Sequence, residues 1–205
     1  MERRSFLQTA TVLGIISFLP KISYPASIGY KPDLPIHFIG LGKSGSLIIT
    51  EFLHRNFKGI YTSIENNLTV FDSTLIKRID FNCNNLENQP LSKEIQNVFV
   101  ENHQYVLIAP LGGMTGTLLA KKLYAFLNLR QQKFSMVVST PFKFEGPRRT
   151  KMAHDFLNDV ENDKRVSIIR FQDIRSNYGN MLLGDAFTKG RELFYETCVS
   201  QMDRG

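Results

Sequence analysis

Twice in this chain a strand-like apolar run breaks at glycines and resumes as a helix-like run. The first passage is Leu34-Pro35-Ile36-His37-Phe38-Ile39, then Gly40-Leu41-Gly42-Lys43-Ser44-Gly45-Ser46, then Leu47 to Phe57. The second is Tyr105-Val106-Leu107-Ile108, then Ala109-Pro110-Leu111-Gly112-Gly113-Met114-Thr115-Gly116-Thr117, then Leu118 to Leu127. A strand, a glycine turn and a helix start let several backbone N–H groups converge on one anion. Glycine admits the anion to the backbone because no Cβ stands in the way. A plain strand-to-helix turn needs one glycine. The second passage has three glycines and two threonines, whose hydroxyls add donors. The pattern points to a phosphate-bearing ligand.

The remaining chain sets the fold class. Apolar runs at 60–64, 75–79, 134–138 and 166–169 read as further strands. Helices are expected at 94–101, 116–129, 151–160 and from Asp185 onward, with loops at 80–92 and 141–149. Lys58-Gly59 ends the first helix. Strands alternating with helices imply an α/β, Rossmann-like parallel sheet with helices on both faces. The 205 residues suffice for one domain with its own core, taken as residues 30–205. Residues 1–29 are set apart. Arg3-Arg4 before a moderately apolar run resembles a twin-arginine export signal or a membrane-proximal segment, and that run is too short to span a bilayer comfortably.

Charge and metal-ligand arithmetic exclude two classes. The net charge of +6 is scattered, with no basic stripe interleaved with aromatics, so no nucleic-acid partner is expected. Cys83 and Cys198 form no metal-binding or disulfide spacing, and His37, His54, His103 and His154 do not cluster. No metal site built from protein ligands alone is expected.

Gly40-x-Gly42-x-x-Gly45 fits the dinucleotide fingerprint in its strand-turn-helix context, and Glu65 follows the second strand where a ribose-binding acid belongs. An NAD(P)-binding protein is therefore one reading. A Walker loop fits worse, because its leading glycine falls on His37. The dinucleotide reading leaves the second glycine turn unexplained.

The two turns together, with Gly112-Gly113-Met114-Thr115-Gly116-Thr117 as the second, resemble the FtsZ/tubulin family and its GGGTGTG signature. Val137-Val138-Ser139-Thr140-Pro141-Phe142-Lys143-Phe144-Glu145-Gly146-Pro147-Arg148-Arg149 is similar to the FtsZ pattern KPFxFEGxRR, with Thr140 in the lysine slot. Asp185-Ala186-Phe187 resembles its DAF segment. The likeness runs over roughly residues 34–200, in order. It implies a GTPase-domain fold of FtsZ/tubulin type that binds GTP or GDP, with Mg2+ neither required nor excluded by these residues. It also implies roles: the first loop at Gly42 to Leu47, the phosphate loop at Gly112 to Gly116, ribose at Glu145, a basic contact at Arg149 and base stacking on Phe187. The guanine-reading amide maps onto Gln172.

The departures shape the expected activity. Lys43, Ser44 and Ser46 interrupt the usual glycine run, Leu47 holds an asparagine slot, and Met114 replaces a signature glycine. Arg191 occupies the second guanine-reading slot, yet arginine has no acceptor for the N1 and N2 hydrogens. The glycine-rich middle loop gives way to the asparagine-rich stretch 80–90. The family's water-activating loop and second domain lie beyond the match, so the expectation is nucleotide binding with little autonomous hydrolysis and no catalytic residue in this chain. A regulatory or scaffold role follows, with self-association or a protein partner. The alternatives are the NAD(P) binder and a non-enzymatic interaction module that has lost its ligand. A guanine nucleotide implies the cytoplasm, with membrane association through the N-terminus; the paired arginines imply export instead.

Overall fold

The structure is a computed structural model, and it describes residues 34–66, 74–82, 90–99, 103–179 and 181–202. The expectations for residues 1–29 and for most of the asparagine-rich stretch lie outside these.

Six strands form one parallel sheet in the order β3-β2-β1-β4-β5-β6. They are β1 (Ile36–Leu41), β2 (Ile60–Glu65), β3 (Ile76–Asp80), β4 (Gln104–Pro110), β5 (Phe134–Thr140) and β6 (Val166–Arg170). Both faces are covered, so the central strands are apolar at nearly every position. Along β4, Tyr105, Leu107 and Ala109 enter one core while Val106 and Ile108 enter the other. The first core is closed by α2 (Lys93–Gln96), α3 (Met114–Leu129) and α4 (Pro147–Val160). The second is closed by α1 (Gly42–His54), α5 (Phe171–Tyr178) and α6 (Leu183–Met202). Each fully buried Ile, Leu or Phe in these cores contributes roughly 1.5–3 kcal/mol.

The helices differ from expectation where local chemistry outweighs apolar periodicity. α4 begins at Pro147, inside the expected 141–149 loop, because proline at the first helical position has its φ preset and lacks an N–H that would be unpaired there. Gly146 before it has φ 99°. The same loop holds a short 3-10 helix at Lys143–Glu145. α2 is a single turn capped by Ser92, whose Oγ accepts from Ile95 N at 3.3 Å; beyond it Val98 and Phe99 drop into the core. α5 was not expected. It starts as β6 ends, and Thr140 Oγ1 accepts from its first N–H, that of Phe171, at 3.2 Å.

Two histidines far apart in sequence also meet. β1 and β4 pair with His37 opposite Tyr105, which brings the His37 and His103 rings to 5.9 Å, edge to face. Both lie near the N-terminal ends of these strands. The sequence expectation that the histidines do not cluster is corrected here. His37 is buried and its Nε2 lies 2.8 Å from Thr62 Oγ1. Burial first, then the nearby His103 and Lys77, lowers its pKa to about 4.

Candidate functional site

In this strand order the crossovers from β1 and β4 leave in opposite directions, which opens a crevice at their C-terminal ends. A cavity of about 590 Å³ lies there, lined by the first turns of both α1 and α3. Neither turn has a side-chain cap or an acidic residue. Their leading N–H groups therefore lack intrahelical acceptors, and both helix dipoles present positive ends to one space.

Glycine permits this convergence. Gly42 has φ 69°, and a Cβ there would stand 2.9 Å from Gly116 N. A Cβ on Gly116 would stand 3.0 Å from Leu41 O. The two turns thus touch backbone to backbone, with no space for a side chain at either glycine.

Of the residues the sequence pointed to, Gly42, Lys43, Ser44, Gly113, Met114, Thr115, Gly116, Glu145, Arg149 and Phe187 line the cavity. Gly40, Gly45, Ser46, Gly112 and Gln172 are not among its lining residues, and each has a physical reason. A Cβ on Gly40 would meet Gly45 O at 2.6 Å, and one on Gly45 would meet Ile108 O at 2.5 Å. These two glycines let α1 lie against the sheet. Ser46, one turn into α1, is buried; it donates to Gly42 O at 3.0 Å and pairs with Ser63 Oγ at 2.5 Å. Gly112 donates its N–H to Thr117 Oγ1 at 2.9 Å, closing the turn on itself. Gln172 sits in the unexpected α5, where it borders a second cavity of about 860 Å³ beside the 3-10 helix. Glu65 is wholly buried at the end of β2, within 3.2 Å of Ser63 Oγ.

Glu145 and Arg149 are coupled. Glu145 Oε2 accepts from Arg149 Nη1 at 2.6 Å, and its Oε1 accepts from Phe142 N at 2.8 Å. The helical start at Pro147 places the arginine one turn beyond the acid. Phe187 is propped edge-on by Phe142 and Phe144, with ring centroids 5.3 and 6.3 Å away, and keeps 38% of its surface exposed. Met114 and Leu47, half-exposed, also border the space.

Sequence reading passed over Ser139. It lines the cavity at the end of β5, is 1% exposed, and its Oγ has no hydrogen-bond partner among the described residues. Its position just after the β5 apolar run was the available signal. Arg191 also lines the cavity; its Nε donates to Glu51 Oε2 at 3.2 Å and its Nη2 to Thr188 Oγ1 at 3.0 Å. Lys43, Arg149 and Arg191 make the cavity cationic, and Glu145 is the sole acid among its described lining residues.

No family model and no curated protein matches this chain. Solved structures do. An FtsZ dimer from M. jannaschii superposes with a TM-score of 0.67 at 20% identity, over 78% of this chain and 52% of that one. CetZ from Methanosaeta thermophila gives 0.61 at 12% identity, over 83% and 54%. CetZ2 from Haloferax volcanii, a GTPγS-bound protofilament, gives 0.58 at 14% identity, over 84% and 60%. The chain thus has the fold of the FtsZ/tubulin GTPase domain, and it spans between half and three-fifths of the length of these structures.

Proposed function

We propose that the cavity binds a guanine nucleotide, GTP or GDP, with its phosphates between the N-termini of α1 and α3. The observation that carries this is the convergence of two uncapped helix starts, touching through Gly42 and Gly116, on one cationic cavity. Backbone N–H groups and Lys43 neutralise the phosphates. Glu145, held by Arg149 and Phe142 N, accepts from sugar hydroxyls. The exposed ring of Phe187 stacks on the base. The GTPγS bound to the CetZ2 neighbour supports this choice.

Turnover by this chain alone is slow in this reading. Hydrolysis needs a group that orients or deprotonates water. The one carboxylate among the described lining residues, Glu145, is engaged by Arg149 and Phe142 N. The role that follows is regulatory or scaffolding, with self-association as one route; the protofilament form of the CetZ2 neighbour supports that route. In this reading the protein works in the cytoplasm, with the first 29 residues as a membrane-proximal segment; the alternative is export by the twin-arginine route. A reporter fused to those residues and assayed for export tests the compartment.

Titration calorimetry of the full chain with GTP, GDP, ATP and NAD, with and without Mg2+, tests the binding. Micromolar affinity for GTP and GDP, with NAD silent, is the expected result. A folded protein that takes no guanine nucleotide overturns it, and the interaction-module reading then stands, with Met114 as the side chain that fills the phosphate space. The dinucleotide reading loses ground because Glu65 is buried and is not among the cavity's lining residues.

A further inference from the structure

We propose that Arg191 reads the base, and that it selects 6-oxopurines as a class without sensing the 2-amino group. This rests on the nucleotide reading above. Arg191 lies one helical turn after Phe187 on α6, and both line the cavity, so a base stacked on Phe187 meets the guanidinium. The guanidinium is held in place: Glu51 on α1 accepts from its Nε, and Thr188 accepts from Nη2. Glu51 is itself fixed by Arg55 Nη2 at 2.5 Å. The fork keeps further N–H groups beyond these two contacts, and arginine has no acceptor to offer.

Hydrogen-bond polarity then decides the ligand. Guanine and hypoxanthine both present O6 and N7 as adjacent acceptors, which an arginine fork matches with two parallel bonds. Adenine replaces O6 with a donor amine, which the fork cannot accept. Telling guanine from hypoxanthine requires an acceptor for the 2-amino group. Among the described lining residues there is no Asp, Asn or Gln, and the single acid, Glu145, is bound to Arg149 and Phe142 N; the hydroxyl acceptors Ser44, Thr115, Ser139 and Thr140 belong to the first turns of α1 and α3 and to the end of β5, not to α6, which carries Phe187 and Arg191. The cavity thus supplies a charged reader for O6 and N7 and, among its described lining residues, no amide or free carboxylate for N2.

Affinities of the full chain for GTP, ITP and ATP, measured by calorimetry, test this. GTP and ITP are expected to bind within about threefold of each other, and ATP at least tenfold more weakly. Arg191→Ala is expected to bring GTP and ITP down to the ATP level. Arg191→Asn, which adds an acceptor, is expected to bind GTP at least fivefold better than ITP. Thermal unfolding of each variant within a few degrees of the parent confirms that it is folded. A parent protein that prefers GTP to ITP tenfold overturns the proposal, as does an Arg191→Ala variant with an unchanged GTP-to-ATP ratio. If GTP, ITP and ATP all fail to bind, the nucleotide reading itself falls, and this inference with it.

Discussion

Ser139 is buried with a hydroxyl that no described group meets, at the lip of the cavity. An unpaired buried hydroxyl costs about 1–3 kcal/mol. In the nucleotide reading its partner is the ligand. Ser139→Ala should therefore leave stability unchanged or raise it by about 1 kcal/mol, while weakening nucleotide binding five- to tenfold. Denaturant unfolding and calorimetry on one preparation separate the two effects. A variant that loses stability and keeps its affinity would show that the hydroxyl serves the fold. Gly45 stands at the other extreme. Its absent side chain leaves room for Ile108 O, so Gly45→Ala should destabilise by several kcal/mol through displacement of α1. A melting temperature within a few degrees of the parent would refute that.

The two helix starts are left without side-chain caps, and this is where stability and binding pull apart. α3 has Gly113 as its N-cap, and a Cβ added there meets nothing within 4 Å. Gly113→Asp should cap the helix and oppose its dipole, adding about 0.5–1 kcal/mol in the absence of ligand. The same carboxylate would occupy the phosphate position and lower triphosphate affinity tenfold or more. Equal or tighter GTP binding by that variant would rule out phosphate at this helix. Elements such as these were partly legible in the sequence. The central strands, buried on both faces, read as largely apolar runs, and the edge strand β3, with Lys77 and Asp80 exposed, as a partly apolar one; all six were found within two residues or so of their observed limits. α5 was missed because no glycine, proline or local cap separates it from β6; its cap comes from Thr140, distant in sequence. The start of α4 was missed because Pro147-Arg148-Arg149 reads as polar loop. In the site, glycine spacing located the crevice but could not separate Gly42 and Gly116, which touch across it, from Gly40 and Gly45, which serve packing. Ser139 and the His37–His103 contact arise from strand pairing, which local pattern does not encode.

At the scale of the whole molecule, the N-terminal end of the sheet carries a proton-sensitive contact. His37 faces His103, Lys77, Tyr105 and Thr62 there, and burial first, then the nearby His103 and Lys77, hold its pKa at about 4, below the usual 6.5. The unfolded chain thus binds the proton more tightly than the folded one. The stability from neutral His37 is fully present above pH 6.5 and is lost as the pH falls through 4, by about 3 kcal/mol. Urea titrations between pH 7 and pH 4 should show that slope, and His37→Phe should flatten it. An unaltered slope in the variant would assign it elsewhere. The opposite end of the sheet has a different consequence. β1 and β4 are the seam between two three-stranded halves, and the contact of Gly42 with Gly116 crosses that seam. A phosphate seated on both helix starts would act as a rivet across it. Ligand at a hundred times its dissociation constant would add about 2.7 kcal/mol to global stability. Amide exchange should then slow together in β1 and β4, so that occupancy of the cavity is read out as cooperativity between the two halves.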